Sequence, residues 1–483
     1  MAGDAAEPKT LQAPSIVDEA KDLKALRAAV VDAAGVSASL WFSYLFVLLY
    51  LLIAVGSVTH RDLFLENPVK LPFLNVDLPL LGFFVLGPLL FLIVHAYVLL
   101  HFVLLGRKIR AFHAQLRAQI SDAHVRAQLR DQLPSNIFVQ ILAGPREVRR
   151  GVIGAMLRLI AQISLVIGPI ALLVFFQIQL LPYHPHWGIE LWQRMTVVID
   201  LALLWILWPS ISRGRVAVIS WVDLRRVIGV PVELIRWFWA LLKWTEPPDN
   251  RGWITWKRVV PGALIAAGAT TSMIPILLVF TVSTYPGEWL NQKLQLVPIV
   301  GSLHRLLFAG ETDEVTRRPR SWFSNVLVLT GQSFVDLDKL DKQEISHSFR
   351  GRDLSHVVLS EADVRKGDFS GANMNDAELV FAKLQNAQFG CARTGLGEAL
   401  GCTQLKDANL LFAQLQGAQL TSSQLEGSEL LAAQLQGADL GGTQLQGADL
   451  RAAQLQGAQF SHEVETEEGT KNIFCRTNGS RVA

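Results

Sequence analysis

Charge is scarce in this chain. Asp, Glu, Lys and Arg together make up 18% of its 483 residues, against roughly 25% in soluble domains, which is too little to coat a large water-exposed surface. The two signs nearly cancel at a formal net charge of +2, so no overall field is available to hold nucleic acid, and no nucleic-acid partner is expected. Cysteine is rarer still: Cys391, Cys402 and Cys475 are too few for a disulfide framework and lack metal-ligand spacing. A Walker loop, a zincin motif, a nucleophile elbow and a dinucleotide fingerprint are all missing. No enzyme activity, catalytic residue, metal or cofactor is therefore expected. A cleavable signal is not apparent either, because the first 36 residues mix acids and bases and the first apolar run begins near Leu40.

What is abundant is apolar sequence, and it is concentrated. A membrane-crossing helix needs about 20 mostly apolar residues, and five stretches qualify: Leu40 to Val58, Leu80 to Leu105, Leu159 to Leu181, Met195 to Ile211 and Pro261 to Tyr285. The fifth, with Gly268-Ala-Thr-Thr-Ser272 and Pro275 inside it, reads either as a crossing or as a re-entrant hairpin. Residues 106–151 and 213–258 carry nine Lys and Arg each, against two in 59–79 and one in 182–194. Cytoplasmic loops retain positive charge, so the N-terminus (1–37) and both basic loops are expected inside, within a helical transmembrane domain spanning 38–285. With five crossings the C-terminal region lies outside, which is the periplasm if the membrane is a bacterial inner membrane. Both basic loops look amphipathic. One carries Ile109, Phe112, Leu116 and Ile120, then Val125, Leu129 and Leu133, and the other six tryptophans among arginines, patterns suited to lying on a bilayer.

From Phe349 a Leu or Phe recurs every five residues, usually with Ala, Ser or Thr two places before it. Neither a helix nor an alternating strand has that period; a coil turning a corner every fifth residue does. One run centres on Phe349, Leu354, Leu359, Val364, Phe369, Met374, Leu379, Leu384 and Phe389, with Thr394 degenerate. A second runs by fives from Leu400 to Phe460 through Leu410, Leu415, Leu420, Leu430, Leu435, Leu440, Leu450 and Leu455. One extra residue between Thr394 and Leu400, beside Gly395 and Gly397, reads as a bulge. Ala372-Asn373-Met374, Ala408-Asn409-Leu410, Ala438-Asp439-Leu440 and Ala448-Asp449-Leu450 resemble the A-[DN]-L-x-x consensus of the pentapeptide-repeat family. The resemblance implies a right-handed quadrilateral β-helix over 349–460, four repeats to a coil. Segments such as PVKLPFLNVDLPL, YPGEW and FSNVLVL extend it to bacterial integral-membrane proteins that carry such repeats.

Four repeats per coil stack residues twenty apart. Phe349, Phe369 and Phe389 then form an inner aromatic ladder, while Gln404, Gln424 and Gln444 line one outer side and Gln414, Gln434 and Gln454 the opposite one, as amide ladders and as a possible interaction face. Residues 286–348 are expected to be linker and N-terminal cap, and 461–483 a polar tail. Cys391 and Cys402, placed two sides apart, are expected to lie too far apart to pair readily. Asp200, inside an apolar run, is the polar candidate of the helical domain, with Gln177, Gln179, His184 or His60 as expected partners; His95 reads as packing. His184-Pro-His186 with His60 has no common ligand spacing. The expected partners are the lipid bilayer and a protein bound through the solenoid. The leading function is a non-enzymatic membrane-anchored scaffold. Its alternatives are a transporter or channel-like component, and a gyrase-binding DNA mimic, disfavoured because 349–460 hold twelve acids and eight bases.

Overall fold

A computed structural model of the protein describes residues 16–71, 76–145, 151–185, 187–212, 307–308, 321, 323–393, 399–466 and 469–474. The fifth apolar stretch, the basic segment 213–258 with its tryptophans, and the YPGEW turn lie outside these residues. The chain divides into two compact units: residues 1–51, 88–173 and 195–276, and residues 52–87, 174–194 and 277–483.

In chain order, helix α1 (Ile16–Gly56) is followed by α2 (His60–Leu65), the short antiparallel strands β1 (Val69–Lys70) and β2 (Asp77–Leu78), then α3 (Leu80–Gln119), α4 (Ala123–Asp131) and α5 (Ile137–Ala143). Next comes one continuous run of α6 (Val152–Gln162), a π turn (Ile163–Ile167), α7 (Gly168–Leu180) and a 3-10 turn (Leu181–Tyr183), and then α8 (Trp187–Ser212). Among the described residues, four helical segments are long and apolar enough to cross a membrane: Leu23–Gly56, Leu80–Gln119, Val152–Tyr183 and Trp187–Trp208. Helix α1 starts well before the apolar run at Leu40, because the preceding Ala-rich stretch holds no proline and a single glycine, Gly35.

The first basic loop differs from its expectation. Helix α3 continues through Arg107 and Lys108 to Gln119, and Ile109, Phe112 and Leu116 are buried in the protein, as is Leu133. The first half of the apolar stripe is thus used in packing, while Val125 on α4 stays exposed and Ile120 and Leu129 are half-buried. Asn136 helps to organise this end. Its side-chain oxygen caps α5 at the Phe138 N–H (2.9 Å), and its amide donates to the Ala34 carbonyl of α1 (2.9 Å). Phe138 is edge-on to Trp41 and lies against Phe102, whose ring centroid is 3.9 Å away.

In the second unit the repeats form a parallel β-solenoid. Single-residue bridges join each segment to the one twenty residues on, as in Ser348↔Asp368, Asp353↔Asn373 and Gln404↔Gln424. At the corners from Phe349 to Leu384 and from Leu405 to Leu455 the residue after next from the centre has a positive φ, and a following N–H donates back to the central carbonyl, as Val357 does to Leu354 (3.1 Å). The small position two before the centre is fully buried from Ala372 to Ala448, which explains its Ala preference, and half-buried at Ala453 and Ala458 in the last coil. Where Ser or Thr stands there, the hydroxyl finds a turn carbonyl: Ser423 to Leu420 (2.6 Å), Ser428 to Leu425 (2.8 Å), Thr443 to Leu420 (2.9 Å). A buried hydroxyl with a partner is tolerated; one without would be costly.

Four expectations are corrected. The chain between the two runs is no single-residue bulge. Asn373 pairs with Gln404 and Gln388 with Gln419, so eleven residues beyond the regular coil are set aside, and β3 (Cys391–Arg393) pairs antiparallel with β4 (Ala399–Cys402) as a hairpin. Leu400 is therefore not a coil rung, and Thr394 lies outside the described residues. Cys391 and Cys402 face each other across the hairpin with Cα atoms 3.7 Å apart, joined by a disulfide. The sequence estimate of their separation failed because it kept both on the coil. Finally, the coil starts earlier than 349: Val328 bridges Val358 and Ser333 bridges Asp363, after which the short α9 (Leu337–Leu340) intervenes. The stretch read as a polar tail contains a second antiparallel hairpin, β5 (Ser461–Thr466) with β6 (Gly469–Phe474).

Candidate functional site

Asp200 pairs with His95. The imidazole Nδ1 lies 2.6 Å from Asp200 Oδ1, and both side chains are fully buried in the first unit. None of the partners expected from sequence takes this role; the residue read as mere packing does. A three-turn-distant neighbour in sequence would have been easy to anticipate, but His95 and Asp200 are on different helices, and no periodicity pairs α3 with α8. The His95 ring forms a three-ring cluster with Tyr44 (centroids 5.5 Å) and Phe91 (5.9 Å), which also touch each other (6.0 Å). Tyr44 donates its hydroxyl to the Ser164 carbonyl (2.7 Å), and Trp41 Nε1 donates to Ser164 Oγ (3.3 Å). Ser164 sits in the π turn, where the inserted residue displaces carbonyls from the regular ladder, a feature common at functional sites. Among the described residues, His95 Nε2 and Asp200 Oδ2 have no hydrogen-bond partner. Chemically, this is a dry imidazole–carboxylate pair that can share one proton and has an open acceptor or donor on each side.

The solenoid interior offers no chemistry. Phe349, Phe369 and Phe389 are buried and stack at 4.9 and 5.2 Å between centroids, and Leu410, Leu415, Leu420, Leu430, Leu435, Leu440 and Leu450 are buried in the same core. Leu455 is half-buried and Phe460 is 38% exposed, since the last coil has no regular rung beyond it. The side chains of the central column leave no room for a ligand between Phe389 and Leu440.

Outside, Gln404, Gln424 and Gln444 follow one another on one side and Gln414, Gln434 and Gln454 on another through parallel bridges. Their amides connect diagonally rather than straight along the column. Gln385 donates to Gln414 (2.6 Å), Gln416 to Gln434, Gln436 to Gln454, and Asn375 to Gln404 (3.1 Å). Each acceptor is thus served from a residue that follows a corner in the coil before.

Sequence reasoning missed what closes the first coil. It is α2, more than 260 residues upstream. A capping box of Thr59 and Asp62 starts this helix and Glu66, at φ 53°, ends it. Phe64 stacks on Phe349 at 4.3 Å, adding one ring to the ladder. Arg352 donates to the carbonyls of Leu63 (3.1 Å) and Phe64, approaches Glu66 (3.5 Å) and lies over the Tyr183 ring (4.8 Å). Burial pushes its guanidinium below the ordinary arginine range, while Tyr183 and Glu66 pull it back. His60 Nδ1 accepts the Val328 N–H (3.0 Å), and burial pushes that imidazole down to about 4. His184 meets the Asn325 carbonyl (3.0 Å) and the Ser355 hydroxyl (3.3 Å). Burial acts to raise the Asp353 carboxyl, yet hydrogen bonds and charge from His184 and Ser355 hold it below the usual range. Of the three histidines weighed as metal ligands, His60 and His184 each hold backbone of the first coil, and His186 lies outside the described residues. Among the described residues no cluster of three ligating side chains exists.

With this geometry in hand, the comparisons are specific to the repeats. A family model described as Pentapeptide repeats matches residues 353–389 and 428–462 in 8 copies, and this part of the chain is built of pentapeptide repeats. Among solved structures, the chain is similar to HetL, a pentapeptide repeat protein involved in heterocyst differentiation regulation from the cyanobacterium Nostoc sp. strain PCC 7120. Identity is 26% over 27% of this chain and 59% of HetL, with a TM-score of 0.21. It is similar to Rfr23 from the cyanobacterium Cyanothece 51142 at 18% identity, covering 33% of this chain and 94% of that one, TM-score 0.17. Full-length QnrB1, a plasmid-mediated fluoroquinolone resistance protein, matches at 18% identity over 32% and 74% of the two chains, TM-score 0.14. No curated protein matches the chain.

Proposed function

We propose that this protein is a non-enzymatic, membrane-anchored scaffold whose pentapeptide-repeat solenoid binds a protein partner through its outer sides. The observation that carries the reading is the solid interior of the solenoid: with the core filled by Phe and Leu side chains, only the outer rows are free to act. Four long apolar helices support anchoring in a bilayer. The arginine-rich loops support a cytoplasmic N-terminus in a bacterial inner membrane, and with Pro261 to Tyr285 as a fifth crossing the repeats fall on the periplasmic side. The Cys391–Cys402 disulfide supports the same side, because such bonds persist in oxidising compartments. A compartment reporter fused after Ala483 tests the placement: activity of a periplasm-dependent reporter is expected, and activity of a cytoplasm-dependent one alone overturns it. Photo-crosslinkers placed along 349–460 in cells test the scaffold itself, which falls if no protein adduct forms at any position and removal of the repeats leaves every complex intact.

A second reading, a transporter-like component, has one specific observation in its favour, the buried His95–Asp200 pair with an open atom on each partner. In proteoliposomes carrying a pH dye, it requires proton or ion flux that Asp200→Asn abolishes while the fold is kept. Flux-free wild type removes it.

A further inference from the structure

The outer surface of the solenoid is polar at most corners, and one corner is not. Following the corner column that begins at Glu361, the next positions are Phe381, Phe412, Ala432 and Ala452, with φ between 55° and 59° throughout. Neighbouring columns place Asp376, Asp407 and Gly427, or Asn386, Gly417 and Gly437, at the equivalent point. Those residue types suit a left-handed backbone; a phenylalanine is an outlier there. Two successive outliers stack on each other, with centroids 4.8 Å apart and planes 8° from parallel, and remain 49% and 43% exposed. Val380, Leu411 and Leu431 run beside them, half-buried, in the same coils. The stacked rings bury part of their surface on each other, yet Gly or Asn would hold this backbone more easily, and strain held at a surface points to function.

We propose that this corner is the docking surface for a basic amphipathic helix of a protein partner, a reading that rests on the scaffold function and specifies its surface. The apolar rungs rise by about 4.8 Å per coil, close to the ~5.4 Å pitch at which a helix repeats its apolar stripe, so three rungs stay in step with three turns. Exposed aromatics at the centre of a patch are the side chains that most often dominate binding. Charge selects the partner's sign. Glu378 and Glu429 flank the apolar rungs with Asn409 between them, and Glu361 stands at the end of the aromatic column, against Lys383 across the corner. Asp449 is neutralised by Arg451, whose guanidinium pairs with it at 2.6 Å. A second copy of the chain would bring the glutamate rows together, and anionic lipid would meet the same repulsion.

The test uses the full-length protein in detergent and a fluorescent 18-residue peptide with Leu on one helical face and Lys on the other. A peptide with Glu in place of Lys, and anionic phospholipid vesicles, are parallel probes. Wild type is expected to bind the Lys peptide at least tenfold more tightly than the Glu peptide. The double variant Phe381→Asn with Phe412→Asn, whose asparagines accept the left-handed backbone, is expected to lose at least tenfold with no fall in unfolding midpoint. Glu378→Gln with Glu429→Gln is expected to lose affinity and flatten its salt dependence. Comparing variant with wild type cancels peptide uptake by detergent. Equal binding by the asparagine variant, equal binding of the Glu peptide, or capture of vesicles in preference to peptide overturns the proposal. If hydrogen exchange then maps a bound peptide to the Gln414, Gln434 and Gln454 side, this corner is wrong while the scaffold stands; loss of every crosslink along 349–460 removes the scaffold as well.

Discussion

The two regions of this molecule solve the same problem, burying side chains, under different constraints. In the solenoid every coil repeats one backbone path, so each side chain's direction follows from its place in a count of five. The solenoid's fully buried polar groups are hydroxyls at the small position, where a turn carbonyl waits for them, while Asp363, Asp368 and Ser370 are buried beside the centres of the earlier coils. In the helical unit no such count exists between helices, and an imidazole and a carboxylate from distant segments end up paired in an apolar interior. Regularity removes exceptions, and irregular packing can keep one. The difference suggests where to look for chemistry in each: on the outside of the solenoid and on the inside of the helices.

The largest effects should come from attacking each interior at its centre. Phe369→Ala removes the ring sandwiched between Phe349 and Phe389 and should destabilise the solenoid by about 3–5 kcal/mol, read as an early loss of β signal in thermal circular dichroism while the helical signal persists. Asp200→Ala leaves His95 alone in the interior and should cost about 3–5 kcal/mol, whereas replacing both by leucine should be close to neutral. If the double replacement is as damaging as the single one, the pair is structural and the contrast between the regions weakens.

His60 sharpens the comparison with pH. Its folded pKa of about 4 lies below the unfolded value near 6.5, so the unfolded chain binds the proton first. The stability it contributes is complete above pH 6.5 and is lost as pH falls towards 4, by at most about 3 kcal/mol. His60→Asn, which keeps an acceptor for the Val328 N–H, should flatten that part of the stability curve measured by denaturant titration. Replacing Cys391 and Cys402 by serine should cost about 2–3 kcal/mol by the loop-closure argument, with proteolysis confined to the hairpin, because the rungs on either side pair with each other without it. The smallest effect is expected at Gly87. A methyl there would meet the Phe176 ring at 2.8 Å, and Gly87→Ala should lower stability by about 1–2 kcal/mol, shown by a reduced unfolding midpoint in detergent.

Much of the repeat region was legible because its period is local. Phe349, Phe369 and Phe389 could be placed in one column by counting twenty. The count failed where the chain leaves the coil: Leu400 fits the five-residue spacing yet falls within a hairpin strand, since spacing alone does not tell a rung from a strand of similar composition. It failed again at Phe460, where nothing in the repeat itself marks the last turn. The glutamine columns were readable, but the diagonal route of their amides depends on rotamers that a repeat pattern does not specify. In the helical unit, Asp200 stood out by its cost, and its partner did not. The cap formed by α2 was equally out of reach, because Phe64 belongs to a segment with no repeat character, and its ring joins the ladder only once the chain has folded back on the first coil.

Hydrophobic run lengths and the five-residue beat were enough to determine that this protein has long apolar helices and a coil with a corner every fifth residue, because both follow from how far a backbone advances per residue; that the coil has four sides came from the resemblance to pentapeptide repeats. Which histidine meets Asp200, which helix closes the coil and whether Cys391 reaches Cys402 were decided only by tertiary structure. Those contacts join residues far apart along the chain or set aside from its repeat, and their free energy appears only when separate elements have already been brought together.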